Sequence, residues 1–88
     1  MVWTVKLAKT AARQLSELPP DHQDLIRTHL REMVHDPFRG DVKPLKGKQW
    51  KGRYRKRVGR YRVIFLPFFV ERIVEVSAIL LRSEKTSR

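Results

Sequence analysis

The stretch Arg53 to Phe65, reading Arg-Tyr-Arg-Lys-Arg-Val-Gly-Arg-Tyr-Arg-Val-Ile-Phe, constrains the fold of this chain more than any other. Aromatic and β-branched residues alternate with cations on both sides of Gly59, the pattern of two strands joined by a short turn. Strand alternation puts Tyr54, Lys56 and Val58 on one side of the first strand and Arg53, Arg55 and Arg57 on the other. In the second strand Tyr61, Val63 and Phe65 alternate with Arg62, Ile64 and Leu66. Pairing through Gly59 then brings Arg62 beside Arg55 or Arg57. One face of the hairpin joins a core, where Lys56 fits if its ammonium reaches the edge. The other face is an arginine cluster.

No carboxylate occurs between Asp41 and Glu71, so the positive field is uncompensated within the segment. A strand face that is merely solvated mixes signs, because like charges opposite one another destabilise a sheet. Over the whole chain 20 Lys and Arg oppose 9 Asp and Glu, a formal net charge of +11. Such a surface attracts phosphate backbones or an acidic protein partner. Arginine suits phosphate in particular, since its planar fork donates two parallel hydrogen bonds and its face stacks on a base.

The rest of the chain supplies a small fold to carry that hairpin. Its 88 residues allow one domain, residues 1–88, with one modest core. The absence of cysteine excludes disulfides, thiol catalysis and thiolate metal sites. Lys6, Lys9 and Arg13 fall where the apolar region of a signal peptide would lie, and no apolar run is long enough for a membrane span. A cytoplasmic setting without membrane association is expected.

Val2 to Leu7 reads as a first strand. Ala8, Ala11, Ala12, Leu15 and Leu18 then recur at helical spacing, with Thr10 as a cap and Pro19-Pro20 as the stop. A second helix presents Leu25, Ile26, His29, Leu30, Met33 and Val34 as its buried stripe, with Asp21 and Asp24 near its positive end, and it stops near Asp36-Pro37. Phe38 to Gly52 reads as a connection anchored by Pro44-Leu45 and Trp50. Pro67 breaks the second hairpin strand, and a last strand runs from Ile73 to Leu81 before a polar tail. The order is βααβββ, an α+β fold with a helical hairpin packed on a small, mostly antiparallel sheet.

Other chemistry-bearing residues carry weaker signals. His22, His29 and His35 are spaced by seven and six residues, not the four of a helical metal pair, and His29 reads as a packed residue. Trp3 and Trp50 read as core or loop anchors ahead of base-stacking platforms.

The segments Leu45-Lys-Gly, Tyr54-Arg-Lys-Arg-Val-Gly-Arg-Tyr-Arg-Val-Ile-Phe and Val74-Glu-Val-Ser-Ala-Ile-Leu-Leu-Arg resemble the RelE/ParE superfamily of bacterial toxin-antitoxin systems. The opening strand, the Leu-Pro-Pro between the helices and the Asp-Pro before the basic segment also fit, so the resemblance spans nearly the whole chain. It implies a RelE-like βααβββ fold and a toxin held inactive by an antitoxin carrying an acidic and apolar segment that covers the basic face. DNA would be met indirectly, through the antitoxin. RelE-like members cut messenger RNA in the ribosomal A site, whereas ParE-like members inhibit DNA gyrase; the first is the leading expectation, and a ParE-like gyrase inhibitor or a catalytically degenerate RelE-like binding module remains open on the residues.

For the RelE-like reading the resemblance implies a catalytic set of Arg55, Arg57, Arg62 and Arg82. Lys46, Lys48, Lys51, Arg53, Lys56 and Arg60 would be further RNA-binding cations. The implied reaction needs neither cofactor nor metal: a 2′-hydroxyl attacks the adjacent phosphate to give a 2′,3′-cyclic phosphate. Arg62 and Arg82 would stabilise the transition state, and Arg55 and Arg57 would position the backbone. The chain departs from the family where a tyrosine commonly follows the last arginine by about six residues, because that position is Arg88. The Gly-His or Gly-Lys usual before that arginine is replaced by Leu80-Leu81. Arginines do not accept protons near neutrality, which leaves the general base open among Lys48, Lys51 and Lys56, with Tyr54 and Tyr61 behind them.

Overall fold

Residues 2–81 are described by the computed structural model, so Arg82 and Arg88 lie outside the described residues. Strand β1 (Thr4–Leu7) leads into helices α1 (Lys9–Ser16) and α2 (Pro20–Met33). Strand β2 (Val42–Pro44), a short 3-10 turn at Lys48–Trp50, and strands β3 (Tyr54–Val58), β4 (Tyr61–Phe68) and β5 (Ile73–Leu81) follow. The sheet order is β1-β5-β4-β3-β2. Strand β1 runs parallel to β5, and the other three pairings are antiparallel. Both helices lie against one face, an α+β arrangement of the expected kind.

The core forms where the apolar stripes of the helices meet alternate residues of the sheet. Ala11 and Leu15 of α1 and Ile26, Leu30 and Met33 of α2 close over Val58, Val63, Phe65, Val74 and Val76. Phe38 extends this core by packing against Trp3, Tyr54, Phe65 and Phe69. Trp3 is buried and takes Arg72 over its ring, so it anchors the fold. His29 is half-buried, but Leu25, expected in the stripe, is 40% exposed beside the Gly59 turn. That turn requires φ +57°, which favours glycine.

Three further expectations are corrected. The connection after Phe38 contains β2, which pairs Val42 with Lys56 and Lys43 with Arg55. A three-residue strand is too short for a periodic signal, and Pro44 is tolerated because β2 is an edge strand. Pro67 does not end β4: it is buried and pairs with Val74. Strand β3 reaches back only to Tyr54 opposite Phe65, so β4 is unpaired on that side at Pro67 and a missing N–H is tolerated there. Thr10 is not a cap, because the N-cap of α1 is Ala8 and no side chain caps it.

Candidate nucleic-acid interface

The sheet face away from the helices carries the cationic residues, and strand register decides how they meet. Arg57 pairs directly with Arg62, Arg55 with Ile64, and Lys43 with Arg55. Residues directly opposite share a face, so Lys43, Arg55, Arg57 and Arg62 form one patch across three strands. Arg53 continues it, with its Nε donating to Ser77 Oγ at 3.3 Å. Ile64 on this same face is 2% exposed, the result expected when arginine stems lie across it between Arg55 and Ala78.

Asp41, just ahead of β2, was missed by sequence reasoning and belongs to this face. Arg55 donates to its Oδ1 at 3.2 Å, and the Arg57 Nε lies 3.7 Å from its Oδ2. The Arg55 hydrogen bond holds its carboxyl below the usual range against an opposing desolvation, and the charges of Arg55, Arg57 and Lys43 add to the lowering. The field that looked uncompensated along the chain is therefore partly neutralised in space. No local pattern announces this contact: the Arg57 N–H donates to the Asp41 carbonyl at 3.0 Å, ahead of the β2–β3 pairing that the sequence does not show.

Arg62 differs from its neighbours. Its Nε is buried and has no hydrogen-bond partner among the described residues. A buried N–H without an acceptor is costly, and an anion at this position would satisfy it. Arg82, expected to complete the cluster, lies outside the described residues.

The other named cations are dispersed. Lys46, Lys48 and Lys51 are exposed on the segment between β2 and β3, and Arg60 is exposed at the β3–β4 turn. Lys56 departs from the expected RNA-binding set because it faces the helices. It is 3% exposed and its Nζ donates to the Arg39 carbonyl at 2.6 Å. Burial lowers its pKa; Glu32 and Asp36 oppose that shift and Arg39 adds to it. A buried amine on the far side of the sheet does not reach a phosphate held by the arginines. Tyr54 and Tyr61 also pack on the helix side, the first against Phe65 and the second with its hydroxyl 2.7 Å from His22 Nδ1. Neither tyrosine shares the arginine face.

Among the described residues no cluster of His, Asp and Glu is placed to hold a metal, and no helix is long and apolar enough to cross a membrane. The sequence matches no family model and no curated protein. Solved structures do match the fold over nearly whole chains. The RelBE2 toxin-antitoxin complex from Mycobacterium tuberculosis matches with TM-score 0.83 and 25% identity, over 93% of this chain and 100% of that one. The archaeal RelE-RelB complex from Pyrococcus horikoshii matches with TM-score 0.81 and 25% identity, over 96% and 99%. The YoeB/ParE toxin from Agrobacterium tumefaciens shares the fold, with TM-score 0.75 and 16% identity, over 91% and 99%. With its helical hairpin on a mixed five-stranded sheet matched over nearly whole chains, this chain belongs to the RelE/ParE toxin superfamily.

Proposed function

We propose that the chain is the toxin of a toxin-antitoxin pair and that its arginine face binds messenger RNA on the ribosome and cleaves it. The supporting observation is the pairing of Arg57 with Arg62, whose buried Nε lacks an acceptor. In the proposed reaction the 2′-hydroxyl of one nucleotide attacks the adjoining phosphorus and loses its proton. The bond to the 5′-oxygen breaks, leaving a 2′,3′-cyclic phosphate and a protonated 5′-hydroxyl.

Arg62 stabilises charge on the pentavalent phosphate, while Arg55 and Arg57, braced by Asp41, position the strand. Among the described residues Asp41 is the proton acceptor beside these arginines, and its lowered pKa makes it a weak base. Acceleration on this face therefore rests mainly on charge stabilisation. A cytoplasmic setting follows from a ribosomal target. The partner is an antitoxin with an acidic and apolar segment, as solved relatives are RelE–RelB complexes.

Incubating the purified chain with translating ribosomes and mapping message ends tests the reading. Cleavage within the A-site codon is expected, falling about 100-fold or more in Arg62→Ala, the scale for losing one oxyanion donor. Intact messages, or undiminished cleavage by Arg62→Ala, would refute it. The weak base favours one second reading, a ParE-like gyrase inhibitor that binds without cutting. Loss of supercoiling by gyrase, with messages intact, selects that alternative.

A further inference from the structure

Strand β3 turns Lys56 and Arg57 to opposite faces of the sheet, and the chain just ahead of β2 crosses the strand's edge between them. On the helix side the Lys56 Nζ donates to the Arg39 carbonyl at 2.6 Å. Two residues further along, the Arg57 N–H donates to the Asp41 carbonyl at 3.0 Å, and Arg55 and Arg57 hold the Asp41 carboxylate on the outer side. Gly40 makes the crossing at φ +90°, a conformation that favours glycine. A Cβ there would lie 3.4 Å from the Lys56 Nζ, so the amine sits against the crossing itself.

A lysine is a costly choice for this position. It is 3% exposed, and a buried amine destabilises a fold unless it is well paired. Among the described residues no carboxylate forms an ion pair with it. Glu32 of α2 and Asp36 favour its charged form from a distance, and Arg39 opposes them. What the amine makes is one short hydrogen bond, to a carbonyl whose other flank is fixed by Phe38 against the core. An apolar side chain would pack here at lower cost and leave that carbonyl unheld.

We infer that Lys56 is a positioning residue for the arginine face, acting through the Arg39 carbonyl to hold Asp41 between Arg55 and Arg57. The inference rests on the RNA-binding reading of that face and deepens it. A held Asp41 aligns two guanidiniums before RNA arrives and takes up part of their charge. A released Asp41 frees that charge for phosphate and leaves both side chains without a fixed direction. The buried amine on one face thereby sets the charge presented on the other.

Lys56→Met tests the link, read first at Asp41 itself. Carbon NMR of the Asp41 carboxyl follows its titration, whose midpoint lies below the ordinary value of 3.8 in the parent chain and should rise toward it in the variant. In binding to a labelled unstructured RNA, Lys56→Met should steepen the slope of log affinity against log salt by about 0.7, as loss of the Asp41 carboxylate would, and tighten binding at low salt. The double variant Lys56→Met/Asp41→Asn should go no further than either substitution alone. Damage to the fold would weaken binding instead. The unaltered chain carries the same test without a substitution: the ionised Asp41 carboxyl carbon should shift again at the alkaline midpoint of the Lys56 Cε resonance, apart from any response to neighbouring Lys43.

An Asp41 midpoint unmoved by Lys56→Met, or an Asp41 carboxyl silent where Lys56 titrates, would overturn the inference. So would additive slopes in the double variant, or a Lys56→Met slope equal to that of the parent chain. The Asp41 titration needs no RNA, so failure of the clamp and failure of the RNA-binding reading are distinguishable.

Discussion

The salt dependence of RNA binding provides a graded test of the arginine face. The patch around Arg57 and Arg62 presents Lys43, Arg53, Arg55, Arg57 and Arg62, with the Asp41 carboxylate paired to Arg55 and Arg57. Each phosphate neutralised by a cation on a single strand contributes about −0.7 to the slope of log affinity against log salt. Four net charges give the face a share of about −2.8 by that rule. Arg62→Ala removes a cation with no carboxylate partner among the described residues and should make the slope shallower by about 0.7. Asp41→Asn removes the competitor of Arg55 and Arg57 and should make it steeper by about 0.7. Arg13→Ala, on α1 away from this face, should leave it unchanged. Fluorescence anisotropy of a labelled unstructured RNA across a sodium chloride series reads all four slopes. An Arg62→Ala slope equal to that of the parent chain, or a shallower one for Asp41→Asn, would refute the placement of phosphate on these side chains.

Two predictions concern the fold beneath the face. Burial holds the folded-state pKa of Lys56 below its ordinary value of 10.5, so between the two the unfolded chain binds more protons and stability rises with pH. Lys56→Met should remove that alkaline rise and be neutral or stabilising at pH 7, as read by urea unfolding at stepped pH. Phe65 is fully buried in the middle of β4, and Phe65→Ala should cost about 3 to 5 kcal/mol. Against a typical stability of about 5 to 15 kcal/mol, this is a large downward shift of the urea midpoint, with the slope retained.

Local pattern carried the sequence reading a long way, and it failed where contacts are non-local. The hairpin around Gly59 and the last strand were legible because their alternation runs for five to nine residues. Leu15 and Ile26 were legible as core because helical spacing repeats within each element. Strand β2 was not, since three residues cannot show a period and its pairing with β3 spans a loop. The misplaced cation was Lys56. Alternation put it on the core side, but the pull of a basic run drew it into the RNA-binding set. What keeps it inside is the Arg39 carbonyl, 17 residues away in sequence. Pro67 misled for the complementary reason, because the cost of a missing N–H depends on whether a neighbouring strand is there to receive it.

Asp41 shows how missing a short strand became an error about charge. Two arginines directly opposite one another repel, and the pairing of Arg57 with Arg62 would weaken the sheet if nothing offset it. Strand β2 carries the offset, because pairing Lys43 with Arg55 places Asp41 within reach of both Arg55 and Arg57. Asp41 also immobilises those two side chains, so less rotamer entropy is lost when they meet a phosphate. Among the described residues Arg62 has no such carboxylate partner and its Nε donor is unfilled, on the strand next to that brace. The free chain thus holds two braced arginines beside one that is electrostatically unsatisfied. On this arrangement the phosphate settles at Arg62, and Arg55 and Arg57 fix the strand's direction.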